Sequence, residues 1–293
     1  MTSPTIIEVA LNGPWGRDIQ PTMPVSVNEL VADAVACARA GAAIIHLHCY
    51  DPATGKQDDN AAIYREVILR AREVVPDIAV YPTVPLAGSA MTEAAASPQA
   101  RFAHVEALAK EGLIDMTVVD PGSVNFSRTK DTQIPPFVYL NPDADIVKGL
   151  QVCRNFGLRP SYAIYEPGFT RTGAQFALQM PELLTPLYRF MFSDDFSWGF
   201  PPRRYALEAH LALLNEAVPR APWMVAGLAV ELGDLIQDAV RLGGHVRVGL
   251  EDARFDCRTS NVDLVRDAAA RVRAAGGEIA SADAARSILA AYD

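Results

Sequence analysis

Short apolar runs rich in β-branched residues alternate with longer amphipathic stretches along the whole chain. The runs read as buried strands and the stretches, with their 3.6-residue periodicity, as helices. Strands are predicted at Thr5–Leu11, Ala43–His48, Ile78–Thr83, Met116–Asp120, Tyr162–Tyr165, Arg189–Phe192, Trp223–Ala226 and His245–Leu250. Helices are predicted at Val27–Ala40, Asn60–Val75, Pro98–Glu111, Asp143–Phe156, Ala174–Leu178, Ala206–Ala217 and Leu232–Leu242, with Val262–Ala275 and Ala282–Ala291 at the end. Boundary residues support these spans. Ser26 with Glu29 three residues on makes a capping box, Gly41 and Gly157 stand where helices end, and Pro76 stops the second helix.

Regular strand–helix alternation implies a parallel sheet. Setting aside one short extra strand, Phe137–Leu140, leaves eight units, which predicts an α/β fold of the (β/α)8 TIM-barrel type. The expected organisation is one barrel domain over residues 1–293 with C-terminal helices; a doubly wound open sheet is the alternative. The barrel makes a geometric claim. Its last strand pairs with its first, so the second and eighth strands both flank the first, and their far-separated residues meet at one mouth. Two long segments, Pro121–Pro136 and Ser193–Arg204, read as loops on the face where loops carry function.

Chemistry concentrates at that predicted meeting point. His46 and His48 are two residues apart at the carboxyl end of the second strand, so both imidazoles share a face. Arg247 and Glu251 share a face of the eighth strand segment, and Asp252 follows at its end. Burying these three charges would be costly without partners or a ligand. Two histidines and a carboxylate converging from two strands make the ligand set of a catalytic zinc-type site with an open position, although cobalt or manganese suits the same donors. Cys49 points to the opposite face from His48 and is expected in the core.

Composition narrows the classes. Hydrophobic residues are 50% and charged residues 21%, as in a water-soluble globular chain, and 293 residues build a core without disulfides. A net charge of −9 argues against nucleic acid or an anionic membrane as the main partner. Cys37, Cys49, Cys153 and Cys257 have no spacing of a zinc ribbon or disulfide framework. The N-terminal MTSPTIIEVALNG lacks a signal-peptide pattern, and no run approaches the roughly 20 apolar residues of a membrane helix, which predicts a cytoplasmic location.

At the segments AGAAIIHLHCYD and GGHVRVGLED the chain resembles the β-keto acid cleavage enzymes. The likeness runs over nearly the whole length, through ALNG, the turn GSVNF at Gly122–Phe126, LNPDADI at Leu140–Ile146, WMVAG and SNVDLVRDAA. The resemblance implies a metal-dependent barrel, usually a homotetramer, whose zinc ligands fall on His46, His48 and Glu251. It places a catalytic Arg–Asp pair on Arg247 and Asp252 and a hydroxyl residue on Thr83; Ser123 and Asn125, in the matching turn, and Trp15, beside a position where the family pattern is lost, are further expected substrate-binding residues. It implies acetyl-CoA as co-substrate, with a β-keto acid giving acetoacetate and a new acyl-CoA.

The chain departs from the family's founding member, 3-keto-5-aminohexanoate cleavage enzyme. Pro14 and Ala163 stand where that enzyme has glutamates, and Val118 where it has threonine, with Thr117 adjacent. Ser193–Arg204 replaces a Gly-rich loop, and Ala229–Val230 replaces a Gly–Arg pair. Two lost carboxylates argue for a substrate other than 3-keto-5-aminohexanoate, with a neutral, larger or anionic tail. A trimethylammonium tail held by aromatic faces is the cationic exception. Trp15, Trp198 and Phe200 fit either a bulkier substrate or simple packing. Glu166, Arg171 and Arg203, after the fifth and sixth strands, are expected to be solvated.

Two other readings compete. Amidohydrolase-type barrels also carry H-x-H, but they use further histidines on later strands. Here only five histidines exist; His104 and His210 fall on helices and His245 at the start of a strand, where a structural hydrogen bond is expected. A non-catalytic metal-binding barrel would require the Arg247–Asp252 pair to be structural.

Overall fold

The structure is a computed structural model that describes residues 3–51, 53–85, 97–129 and 134–293. Its elements in chain order are β1 (Ile7–Ala10), α1 (Val27–Ala40), β2 (Ile44–Leu47), α2 (Ala61–Val74), β3 (Ala79–Pro82), α3 (Pro98–Arg101), α4 (Ala103–Lys110), β4 (Met116–Val118), β5 (Val124–Phe126), β6 (Phe137–Tyr139), α5 (Asp143–Phe156), β7 (Arg159–Ile164), α6 (Pro167–Leu178), β8 (Leu187–Phe192), α7 (Arg204–Ala217), β9 (Trp223–Gly227), α8 (Leu235–Arg241), β10 (His245–Val248), α9 (Asn261–Ala274) and α10 (Ala282–Ala290).

Eight parallel strands run in the order β3-β2-β1-β10-β9-β8-β7-β4. β3 and β4 lie side by side across the remaining seam, so the sheet is a nearly closed (β/α)8 barrel. β1 pairs with both β2 and β10, with Glu8 opposite Ile44 on one side and Arg247 on the other. Ile7 and Val9 turn outward to the helices, and Glu8 turns into the barrel, because successive side chains alternate across a strand. Inward positions of such barrels are ordinarily apolar. Here they include the buried Glu8, Tyr81, Arg189 and Arg247.

The caps explain where α1 begins and ends. Ser26 Oγ accepts from Glu29 N–H, and Glu29 Oε2 accepts from Ser26 N–H at 2.8 Å. Four expectations need correction. The segment Pro121–Pro136 is more than a loop: Val124–Phe126 pairs antiparallel with β6, giving a hairpin over the barrel mouth. The predicted helix Pro98–Glu111 breaks at Phe102, which is buried and leaves helical geometry (φ −105°, ψ 7°). The helix after β7 starts at Pro167, not Ala174, because proline is well suited to the first helical turn. β8 also begins two residues earlier than expected, which sets Arg189 inside the strand.

No helix among the described residues is long and apolar enough to cross a membrane.

Candidate metal and catalytic site

The mouth of the barrel is shaped by backbone constraints on β1 and β10. Asn12, just past β1, clamps the backbone of His48: its Oδ1 accepts from His48 N–H at 2.9 Å, and its Nδ2 donates to His48 O at 2.8 Å. Gly249 follows β10 at φ 138°, and a Cβ there would lie 2.0 Å from Ala10 O. Only glycine fits that crossing. The turn it permits lets Glu251 N–H donate to Ala10 O at 3.3 Å and brings the Glu251 side chain over β2.

His46, His48 and Glu251 thus meet, as their spacing in sequence predicted, with ligand atoms all within 4.8 Å of one another. His46 Nε2 and His48 Nε2 lie 3.3 and 3.5 Å from the same Glu251 oxygen, Oε2. A tetrahedral ion with bonds of about 2.0–2.2 Å separates its ligand atoms by about 3.3–3.6 Å, and both histidine–glutamate separations match that spacing. Among the described residues, His48 Nε2 and Glu251 Oε2 are buried and have no hydrogen-bond partner, an arrangement that costs free energy unless something binds there. Burial pulls His46 well below its ordinary pKa, with Arg247 and His48 adding to the effect, so its imidazole is neutral as a ligand must be. Burial alone would raise the Glu251 carboxyl; Arg247 and the two histidines instead hold it well below the usual range.

An outer set of groups orients the donors. His48 Nδ1 lies 2.9 Å from Gln57 Oε1, and Gln57 Nε2 donates to both Asp59 oxygens at 3.0 Å. With Nδ1 donating to Gln57, the His48 Nε2 lone pair faces the donor cluster.

Beside this cluster, Arg247 grips Asp252 with Nε to Oδ2 at 2.9 Å and Nη2 to Oδ1 at 2.8 Å. The same Nη2 lies 3.1 Å from Glu251 Oε1, and Nη1 donates to Glu8 Oε1 at 3.3 Å. Tyr81 O–H donates to that Glu8 oxygen at 2.6 Å. Burial raises the Asp252 carboxyl to about 6 against the opposing guanidinium, which moves it toward the range of a useful general base.

The pocket above these groups is walled by Thr83, Trp15, Phe126, Tyr139, Tyr165 and Asp120. Trp15 is held there by its Nε1–H, which donates to Glu251 O at 2.9 Å. Pro14 and Val118 also line the pocket, while Ala163 packs in the aromatic cluster behind it. Ser123 and Asn125 are placed elsewhere: both are exposed, and Ser123 Oγ accepts from Asn141 N–H at 2.8 Å, which fixes the hairpin. Trp198 stacks on Phe196 behind the pocket, and Phe200 packs against His210 away from it. His104 bonds Thr83 O at 2.8 Å, and His245 Nδ1 accepts from Ile6 N–H at 3.2 Å, so both are structural. Glu166 accepts from Gly199 N–H, and Arg203 pairs with Asp194 on the surface. Cys49 is buried in the core, as its face of the strand predicted.

Several site residues escaped the sequence reading. Glu8 and Arg189 carried a usable signal, since each is a charge inside an otherwise apolar strand (IEVA and LYRFMF). Gln57 and Asp120 carried none: each reads locally as a loop or strand-end residue.

The sequence pattern of the family described as beta-keto acid cleavage enzyme matches residues 4–290. The chain is 27% identical to 3-keto-5-aminohexanoate cleavage enzyme of Fusobacterium nucleatum over 93% of this chain and 92% of that one. It is 28% identical to 3-oxoadipate:acetyl-CoA acetyltransferase of Cupriavidus necator over 99% and 95% respectively. It is 27% identical to 3-dehydrocarnitine:acetyl-CoA trimethylamine transferase of Rhizobium meliloti over 88% and 86%. Among solved structures, apo ObcA superposes with a TM-score of 0.73 at 15% identity, over 92% of this chain and 65% of the ObcA chain. That likeness is one of fold.

Proposed function

Because the chain belongs to the beta-keto acid cleavage enzyme family, we propose that it condenses a β-keto acid with acetyl-CoA to give acetoacetate and a new acyl-CoA. One observation carries the reading: a three-donor metal site and a buried, bidentately held carboxylate are joined through one guanidinium, Arg247, which grips Asp252 and reaches Glu251. Two of the named relatives are transferases acting with acetyl-CoA on 3-oxoadipate and 3-dehydrocarnitine, the third cleaves 3-keto-5-aminohexanoate, and identities below 30% fit a substrate of this chain's own.

In this reading His46, His48 and Glu251 hold a divalent ion, with zinc the best match to two imidazoles and a carboxylate. Bound there, such an ion would polarise the substrate ketone and acidify the carbon between ketone and carboxylate. Asp252 takes the proton from that carbon, and Arg247 holds both of its oxygens so that it faces one direction. The resulting carbanion attacks the thioester carbon of acetyl-CoA, and CoA leaves. CoA thiolate then attacks the original ketone carbon, the old carbon–carbon bond breaks, and acetoacetate departs carrying the acetyl group. Trp15 and Thr83 line the same pocket as the donor cluster. The hydrolytic alternative finds no further histidine at the site, since His104, His210 and His245 are engaged or packed elsewhere. Family membership supports a homotetramer, and three free cysteines buried in the core suit a reducing, cytoplasmic compartment.

The test is a panel of β-keto acids with isotopically labelled acetyl-CoA, following label into acetoacetate. Label is expected in acetoacetate, with 3-keto-5-aminohexanoate a poor substrate because Pro14 and Ala163 offer its ammonium no counter-charge. Absence of labelled acetoacetate from every keto acid in the panel would refute the reading.

A further inference from the structure

Among the described residues, Arg189 is the one buried cation at this pocket that the proposed chemistry leaves idle. It lies inside β8, which stands four strands from β2 in either direction round the barrel, so it faces the two histidines from the opposite wall. It is 3% exposed, it lines the pocket, and among the described residues it makes no hydrogen bond. Its nearest carboxylate oxygen, Glu8 Oε1, is 3.9 Å away and is already occupied by Tyr81 O–H and Arg247 Nη1. Arg247, the other guanidinium at the pocket, is fully committed to Asp252, Glu251 and Glu8.

We propose that Arg189 binds a second carboxylate, at the end of the substrate remote from the metal-binding cluster, and so selects a 3-oxo dicarboxylic acid. The proposal rests on the β-keto acid reading and sharpens it. In a β-keto acid the ketone and its own carboxylate are close enough to share one ion, so both belong at His46, His48 and Glu251. What reaches the far wall is the tail. A planar guanidinium with free N–H groups matches a carboxylate through two parallel hydrogen bonds. An apolar tail would leave those donors buried and unpaired, which is unfavourable. A cationic tail would face Arg189 directly, and the other pocket carboxylate is not free to receive it. Asp120 Oδ2 accepts from Tyr139 O–H at 2.6 Å and Oδ1 from Ala163 N–H at 2.9 Å. The aromatic rings of Trp15, Phe126 and Tyr165 then flank the methylenes between the two ends.

The competing account is that Arg189 only balances the charge of Glu8. The experiment uses the metal-loaded full chain and three six-carbon 3-oxo acids with a neutral, a carboxylate or a 5-amino tail. Calorimetric Kd without acetyl-CoA is read alongside kcat/KM with it. The dianion is expected to bind roughly ten- to hundredfold more tightly than the neutral acid. Arg189→Met should remove that preference, and Arg189→Lys should keep part of it. Equal affinity of wild type for the neutral and dianionic acids overturns the proposal. So does an equal loss for all three acids in Arg189→Met, which marks a structural role or a grip on the reacting carboxylate. If Arg189→Met does not fold, the wild-type ratio and Arg189→Lys decide. Acetoacetate formed without a dianion preference leaves the cleavage reading standing and sinks only the Arg189 assignment; no binding and no turnover of any acid sinks both.

Discussion

Arg247 holds Asp252 through two parallel hydrogen bonds of 2.9 and 2.8 Å while its Nη1 is anchored to Glu8 at 3.3 Å. The carboxylate therefore cannot rotate without breaking a buried, charge-assisted pair. That rigidity is what a base acting on a single carbon requires, because proton transfer depends on position before strength.

Replacing Asp252 by Asn keeps shape and removes the base. Turnover is expected to fall roughly a hundredfold or more, with bound metal unchanged. Arg247→Lys keeps a positive charge and loses the fork, so it should also lower kcat while the metal stays. Initial rates of acetoacetate formation, paired with metal content by mass spectrometry, check both. An unaltered rate in Asp252→Asn moves proton removal to another group.

The donor cluster should hold about one divalent ion per chain, lost in His46→Ala and His48→Ala. Gln57→Leu removes only the partner that aims His48, and its expected effect is a fall in metal affinity of about 10- to 100-fold. A chelator titration separates the three variants. Full metal occupancy in a His46→Ala, His48→Ala double variant contradicts the site.

Much of this was legible in sequence because a barrel repeats one unit. Each strand is an apolar run and each helix an amphipathic one, so the eight-fold order, and with it the meeting of His46, His48 and Glu251, followed from counting. The hairpin β5–β6 was half hidden, since VNF is too short to announce a strand until its partner FVY is in place. Residues that act through geometry were hidden too. Gln57 reaches His48 across a loop nine residues later, and Asp120 is recognisable only once Tyr139 lies over it. Ser123 and Asn125 show the reverse: a motif match put them near substrate, but strand alternation turns Asn125 outward and brings its neighbour Phe126 inward.

Glu8 is fully buried, and one of its oxygens receives both Tyr81 and Arg247. Glu8→Leu would leave two buried guanidiniums with less counter-charge. Removing one partner of a buried ion pair typically costs about 3–5 kcal/mol, and a loss of that order is expected in urea unfolding of the variant. Glu8→Gln, which still accepts from Tyr81, should lose less. A Glu8→Leu variant as stable as wild type would mean that Glu251 and Asp252 alone neutralise the barrel interior.

The last prediction concerns Gly249, which acts through the backbone alone. Its φ of 138° is closed to ordinary L-residues, and a Cβ would sit 2.0 Å from Ala10 O, a backbone atom that cannot swing aside. Gly249→Ala must therefore push β10 away from β1 or change the turn. Either movement shifts the Glu251 N–H from Ala10 O and carries the Glu251 carboxylate off the line to His46 and His48. The expected signature is a coupled loss: lower metal affinity together with lower thermal stability, whereas Gln57→Leu lowers metal affinity alone. Metal titration and thermal unfolding of the two apo variants distinguish them. A Gly249→Ala protein with native stability and native metal affinity would show that the β1–β10 crossing has slack, and that Glu251 is positioned by its own hydrogen bonds rather than by the backbone beneath it.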